Sequence, residues 1–457
     1  MKLRNSKIKP DEQRERASVL IIVLWIAIGL VSIALYFANA MTFELRASDN
    51  RASGLATDQA IEGAARYVSY VLANFSTNGA VPAKTQYSCE AVPVGDSRFW
   101  LIGRDPSGTP SSEPYFALVD EGSKLNLNTA NTNTLSYLPN MTPDFAAAIT
   151  DWRSTNSSGA YALDYAQLGY EEKNAPFETV DELRLVDGAT IDLLVGEDIN
   201  RNGVLDASET DLNGNGQVDP GLFEYVTVYT REPNFHSDGT TLTNVNTATE
   251  SELRTFFQNA GVGNASGLAT AIYNRTHPGT GSTTTFPGIL SFCLFCRNRG
   301  MTSDDFAKIY DDVTTSTSAY IRGRVNINTA GAGVLTALLT GAGLDQNTAS
   351  GTAQLLITYR QQNPNNLGSV SWLIDALGTT STAVSALATG DYVTTRSFQF
   401  TADIAAVGPF GRGYRRVKFI FDTSDGTPKI IYRQDLSRLG WALGERARET
   451  WVTKAAQ

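Results

Sequence analysis

Hydrophobic and polar positions follow three different rhythms along this 457-residue chain. From Ala17 to Phe43 the residues are apolar or small and none is charged. From Ile61 the apolar residues thin to a stripe of Ile61, Ala65, Val68, Leu72 and Phe75, spaced four, three, four and three apart. That spacing places them on one face of an amphipathic helix. No proline falls between Pro10 and Pro82, so Ser18 to about Ser76 reads as one helix of roughly 88 Å. Gly29, Gly54 and Gly63 are its weak points, at about 1 kcal/mol each. Elsewhere alternation takes over. Phe99–Arg104, Tyr115–Val119, Phe223–Thr230, Ser397–Val407, Tyr414–Asp422 and Lys429–Gln434 read as strands, with Asp425-Gly426 as a hairpin turn.

The uncharged run is long enough to cross a bilayer: Ser18–Met41 spans about 36 Å against a hydrocarbon core of about 30 Å. Three readings of it compete. A cleaved secretory signal has a shorter apolar core, although Ala38-Asn39-Ala40 offers an A-x-A site. A plain signal anchor is the second. The third is a helix that spans the membrane and continues outside it as a rod, favoured by the amphipathic stripe that follows. The leader MKLRNSKIKPDEQRER carries six basic and three acidic residues. Positive flanks stay cytoplasmic, so the chain runs N-in, C-out.

The layout resembles that of type IV pilin-like proteins: a short basic leader, a prepilin-peptidase cut before the apolar run, and a half-embedded helix. The string RERASVLIIVLW resembles that junction and sets the processing site between Ala17 and Ser18. Two positions depart from the pattern. Ala17 stands where such proteins usually have Gly, and Ile22 holds the fifth mature position, where most have Glu. An intramembrane carboxylate is costly and persists only for a function, such as pairing with a neighbouring subunit's N-terminal amine. A subunit lacking it has no such group for a subunit ahead of it, and fits the end of a filament.

Composition adds limits. About 380 residues follow the anchor, room for two or three domains. With 42% hydrophobic and 18% charged residues the chain is globular. Its net charge of −10 argues against coating phosphates. Of three cysteines, Cys293 and Cys296 form a C-x-x-C in a Gly/Thr/Ser-rich setting, read as a short disulfide ahead of a redox or zinc site; Cys89 is left over. There is no P-loop, H-E-x-x-H or G-x-S-x-G, and two histidines leave little for acid–base chemistry, so no enzyme activity is expected.

One motif occurs three times: Leu125-Asn-Leu-Asn-Thr-Ala130, Asn244-Val-Asn-Thr-Ala248 and Val325-Asn-Ile-Asn-Thr-Ala330. Each is followed by a leucine five residues later and then by a helical pattern ending near arginine, AAAITDWR, LATAIYNR and AQLLITYR. The motif enters a helix whose orphan N–H groups its Asn and Thr side chains are placed to cap. Two short helices then form a hairpin resembling a helix-hairpin-helix or SAM-like unit. DNA-binding versions hold a phosphate on a Gly-apolar-Gly turn. Gly261-Val262-Gly263 and Gly341-Ala342-Gly343 have that form, whereas Leu138-Pro139-Asn140 does not. Basic neighbours are scarce, so DNA binding or uptake is the weaker reading and no nucleic-acid partner is expected.

Two acidic loops lie within this region. Asp198, Asn200, Asn202, Val204, Asp206 and Glu209 fill positions 1, 3, 5, 7, 9 and 12 of an EF-hand loop, with Gly203 at position 6. Asp211, Asn213, Asn215, Gln217 and Asp219 repeat positions 1 to 9, but position 12 is Leu222, and Glu224 lies two residues late. Calcium is the expected ion, with a structural role in clamping a long loop; a turn that binds nothing is the alternative, stronger for the second loop.

Together VDEGSKLNLNTA, AAAITDWR, APFETVDELRLV, SFQFTADIAAVG and GYRRVKFIFD, in this order, resemble the minor pseudopilin K family of type II secretion systems. The resemblance implies an α+β fold: a pilin-like long N-terminal helix packed on an antiparallel sheet, with a large inserted helical (SAM-like) domain. It divides the chain into leader 1–17, membrane half of the stem 18–41, remaining stem and first strands 42–122, insert 123–390 with calcium loops at 198–224, and closing strands 391–457. It implies calcium in the insert and a place at a pseudopilus tip. The implied partners are other minor pseudopilins, the major pseudopilin, prepilin peptidase, the inner membrane and exported proteins, with the bulk of the chain in the periplasm. A minor pilin of a type IV pilus is the nearest alternative.

Overall fold

The computed structural model describes residues 10–107, 111–155, 159–278 and 284–451, with side chains within these ranges from Val19 to Thr450. Leader residues 1–9 lie outside these ranges. So do the side chains of Ala17 and Ser18 at the expected cut, whose backbone belongs to the first helix.

Helix α1 runs without interruption from Pro10 to Phe75. Its two halves differ in burial. Every residue from Val19 to Ala52 is exposed, including Trp25, Phe37 and Phe43. From Ser53 onward one face is covered, and Ile61, Ala65, Val68 and Leu72 of the expected stripe are buried, while Phe75 is half-buried. Small residues, Ala60 and Ala64, fill the positions between and let the helix lie close to the strands.

Those strands form an antiparallel sheet: β1 (Val92–Val94), β2 (Ser97–Ile102), β3 (Val119–Asp120), β4 (Gln399–Val407), β5 (Tyr414–Asp422) and β6 (Lys429–Asp435). Their order is β1-β2-β4-β5-β6, with the short β3 also on β4. The expected strand at Tyr115–Val119 contracts to β3 and a single bridge between Ile102 and Phe116. All nine residues of β4 are buried, yet its two faces differ in kind. Phe400, Ala402, Ile404 and Ala406 belong to the apolar core shared with α1. The intervening Gln399, Thr401 and Asp403 face the other way and are each hydrogen-bonded, to Asp422, Glu121 and Arg416 respectively. Strand alternation sends successive side chains to opposite faces, so one strand closes an apolar core and also offers a polar bed.

The chain leaves the sheet after Asp120 and returns at Gln399, and between them lies the helical insert. Its three Asn-Thr-Ala units are three copies of one module. In each, a two-residue strand pairs in parallel with a returning Val-Thr pair: Leu125–Asn126 with Val226–Thr227, Thr243–Asn244 with Val313–Thr314, and Val325–Asn326 with Val393–Thr394. The expectation that the motif's asparagines cap helices is corrected here. The first Asn of each copy turns its amide oxygen to the N–H of the second, at 2.8, 2.9 and 3.0 Å. The second reaches across the module instead: Asn128 to both backbone groups of Phe177, Asn246 to both of Phe286, and Asn328 to Leu367 O and the Trp372 indole. Capping falls to Asn131 and Thr249, just downstream. In the first and third copies the terminal arginine closes the unit, Arg153 on the carbonyls of Leu127 and Ala130, and Arg360 on those of Ile327 and Ala330. Buried carbonyls need donors, and a guanidinium supplies several in fixed geometry.

The expected Cys293–Cys296 disulfide is absent: both thiols are free and fully buried on the helix Ile289–Arg297. Burial raises the pKa of each, so they act as small apolar core members. Leu290, Phe292 and Phe306 make this a packed core position despite the Gly/Thr/Ser-rich stretch beside it.

Candidate cation loops and their seat on the sheet

The first acidic loop is built almost wholly from side chain–backbone hydrogen bonds. Asp198 accepts from the N–H groups of Asn202 and Gly203, both at 2.8 Å. Asn200 and Asn202 accept from residues two further on, each at 3.0 Å. Glu209 reaches back to the N–H groups of Asn200 and Asp206, at 3.1 and 3.0 Å. The amide nitrogens of Asn200 and Asn202 both turn to the same oxygen of Asp206. Gly203 has φ +84°, a conformation that favours glycine. Asp198, Asn200 and Asn202 are buried, as is Val204. Burial raises the carboxyl pKa of both Asp198 and Glu209.

The second loop repeats this pattern 13 residues later. Asp211 accepts from Asn215 and Gly216, Asn213 from Asn215, and Asn215 from Gln217. The amides of Asn213 and Asn215 both meet Asp219. This loop is exposed, and Asp211 has its pKa lowered by the N–H of Gly216.

The twelfth position is where the sequence reading needs correction. Glu224 does not serve the second loop; Arg104 holds it at 2.9 Å. Glu197, immediately before the first loop, occupies the place instead. Its carboxylate accepts from Leu212 N at 2.7 Å and from Asp219 N at 3.0 Å. The second contact is the counterpart of Glu209 on Asp206 N in the first loop. A backbone crossing brings Glu197 there. Gly196 bridges Pro220, Glu197 N donates to Asp219 O at 3.0 Å, and Gly221 N donates to Val195 O at 2.8 Å. The crossing is so close that a Cβ on either Gly196 or Gly221 would lie 2.4 Å from backbone atoms. A downstream count of twelve misses Glu197; the signal present was Gly at both 196 and 221.

All donors in both loops are oxygen, with no His or Cys, which is the set a hard cation such as calcium takes. Among the described residues no three or more His, Cys, Asp or Glu side chains converge as a metal cluster, and the loops are closed by their own hydrogen bonds.

The first loop is also seated on the sheet by residues that motif reading passed over. Arg416 on β5, fully buried, donates to the carbonyls of Asn200 and Arg201 and pairs with Asp403 on β4. Arg104, just past β2, donates to Arg201 O at 3.2 Å and lies beside Asp198 at 3.7 Å. Burial works against the charge on both arginines, but Asp403 raises the pKa of Arg416, and Glu224 and Asp198 raise that of Arg104. Beside this seat Glu121 accepts from Thr227 and Thr401 and pairs with Lys124 at 3.3 Å. Burial opposes its ionisation, yet Lys124 and Lys418 hold its pKa at about 2. Its neighbour Asp120 is pushed up to about 6 by burial, despite hydrogen bonds from Ser397, Thr329, Asn326 and Gly122. The seat was detectable as charged residues inside strands that otherwise read as apolar.

The Gly-apolar-Gly turns diverge. A Cβ on Gly341 would lie 2.2 Å from Thr134 Oγ1, so the third module's turn is closed by the first module. Gly261 and Gly263 have open space around them, with Glu250 and Glu252 on the adjoining helix. At the stem, Ile22 is exposed within the apolar half of α1.

No protein-family model and no curated protein matches the chain. Among solved structures it is similar to a chain of the GspK-GspI-GspJ complex from the enterotoxigenic Escherichia coli type 2 secretion system. Sequence identity is 12% and the TM-score 0.40, covering 86% of this chain and 99% of that one.

Proposed function

We propose that this chain is a non-catalytic, membrane-tethered pseudopilin-like subunit, specifically a minor pseudopilin at the tip of a type II secretion pseudopilus. The observation that carries the reading is the division of α1: a bare apolar half long enough to span a bilayer, continuous with a half that packs on an antiparallel sheet. A stem of this kind packs among other stems in a filament, while the sheet and insert stand outside the membrane. The uncharged run around Ile22 offers no carboxylate to a following subunit, which suits the terminal position. In this reading prepilin peptidase cuts between Ala17 and Ser18, the stem lies in the inner membrane with its N-terminus cytoplasmic, and the insert is periplasmic. The partners are the other minor pseudopilins, the major pseudopilin and exported proteins, met through the insert. Both acidic loops take calcium, through Asp198, Asn200, Asn202, Val204, Asp206 and Glu209 in the first. In the second, Asp211, Asn213, Asn215, Gln217 and Asp219 act with Glu197. The bound ion adds oxygen–cation contacts that stiffen the loops.

The test is the location of the chain in sheared filaments, by gold-labelled antibody against the insert. A single label at one end is expected, and a label distributed along the filament overturns the tip assignment. N-terminal sequencing of the membrane-extracted protein is expected to begin at Ser18. Substituting Ile22→Glu is expected to impair secretion and filament initiation.

A further inference from the structure

The hairpin joining β4 to β5 is unlike the rest of the sheet. Its residues are Gly408-Pro-Phe-Gly-Arg-Gly413, closed by Gly408 N to Gly413 O at 3.0 Å. Phe410 at its tip is 79% exposed and sits at φ +56°, a region that side chains rarely adopt. An exposed aromatic ring on a strained backbone gains nothing from the folded chain itself. Such outliers point to a use outside it.

The position of the tip along the stem is fixed by contacts. Strand β4 begins at the far end of α1, where Ser397 N donates to Gly79 O at 2.8 Å. It runs back along the helix until Gly408 and Gly413 press on the stem at Ser53 and Thr57. A Cβ on either glycine would lie within 3 Å of Thr57 Oγ1. The hairpin then continues toward the N-terminal half, because Arg412 pairs with Asp49 at 3.2 Å, one helical turn nearer the apolar run than Ser53. Asp49 lies six helical steps, about 9 Å, beyond Phe43, the last residue before the first charge. The polar zone of a bilayer extends about 5–8 Å beyond its hydrocarbon core. Asp49 therefore sits at the outer edge of that polar zone, and the hairpin that Arg412 ties to it carries the exposed Phe410 ring to the same level.

We propose that Phe410 and Arg412 rest in the outer headgroup layer of the membrane that the stem spans, the ring among the headgroups and the guanidinium within reach of lipid phosphate as well as of Asp49, so that the hairpin acts as a second membrane contact holding the sheet at a fixed height. Aromatic and basic side chains are the residues that favour this layer. The inference rests on the reading of α1 as a membrane span.

The test uses the full chain in phosphatidylethanolamine–phosphatidylglycerol vesicles, with a polarity-sensitive fluorophore on single introduced cysteines. The three native thiols are buried, so the unmodified chain supplies the background. Phe410→Cys is compared with Val31→Cys in the stem and with Leu163→Cys, which is 77% exposed on the insert. Headgroup nitroxide lipids are expected to quench position 410 at least threefold more than position 163, and acyl-chain nitroxides to quench position 31. Quenching at 31 with 410 no different from 163 overturns the hairpin contact while leaving the span intact. No quenching at 31 removes the span and the hairpin contact with it. Shielding of 410 only when a second stem-bearing protein is co-reconstituted assigns the ring to a protein contact and also overturns the proposal.

Discussion

The two acidic loops share a sequence pattern and a hydrogen-bond pattern, yet they are different structural objects. In the first, Asp198, Asn200 and Asn202 are buried and Arg416 and Arg104 hold its carbonyls against the sheet. In the second, Leu212 to Gln217 is exposed and the closing carboxylate comes from Glu197, upstream of both loops. Local sequence shapes a loop of this kind, because Asp and Asn oxygens fold the backbone onto themselves. Whether the loop bears on the stability of the whole protein depends on what it is pressed against.

Breaking the seat gives the largest expected effect. Arg416→Ala leaves Asp403 buried without its partner and the Asn200 carbonyl without its donor, while Arg201 O keeps only Arg104, a loss of about 3–5 kcal/mol. Asn215→Ala in the exposed loop is expected to cost less than about 1 kcal/mol. Urea denaturation of the detergent-solubilised chain measures both, and equal losses would dissolve the contrast.

Acid sharpens it next. The pKa of Glu121 is lowered from 4.5 to about 2 in the folded chain. Its contribution, about 3 kcal/mol, is therefore complete above pH 4.5 and lost as pH falls toward 2. Asp120 runs the other way, since a pKa raised to about 6 favours the folded state as pH falls from 6 to 4. Glu121→Gln should abolish the steep loss below pH 4.5 in a stability–pH profile, while Asp120→Asn should abolish the gain between pH 6 and 4.

Calcium distinguishes the loops by stoichiometry. Saturating calcium is expected to raise stability by about 1–3 kcal/mol over a chelated sample, read as a higher Tm. Calorimetric titration should find two sites. Glu209→Gln should weaken the first and Glu197→Gln the second, whereas Glu224→Gln should leave the count at two. An unchanged melt with no metal in elemental analysis would remove the calcium assignment for both.

The smallest effect concerns the glycines at position 6. Gly203 and Gly216 have φ of +84° and +72°. Gly216→Ala meets open space, so only the backbone term of about 1 kcal/mol applies. In Gly203→Ala the new methyl also meets Arg104, at 3.1 Å from its Nε, and should cost more. Paired thermal melts measure the difference.

Much of this was legible in the residues. The apolar run, the amphipathic stripe, the closing strands and the tight turns of the first acidic loop are local patterns, and the structure contains each of them. What misled was also local. The C-x-x-C read as a short disulfide because two cysteines so close in an oxidising compartment usually pair, although the helix Ile289–Arg297 carries both thiols free into the core. The Asn-Thr-Ala motif read as a helix cap because asparagine before a helix usually is one, yet Asn128, Asn246 and Asn328 span 49, 40 and 39 residues to their backbone partners. Glu224 read as a late ligand because counting proceeds downstream.

By itself the sequence determined the rod, the strands and the shape of both acidic loops, because periodicity and side chain–backbone hydrogen bonds act within a few residues. Only the tertiary structure decided that Glu197 closes the second loop, that Arg416 and Asp403 anchor the first, and that the β4–β5 hairpin descends the stem to Asp49. Each depends on segments far apart in the chain meeting where burial leaves no water, and there an unpaired charge or carbonyl costs too much to leave unanswered.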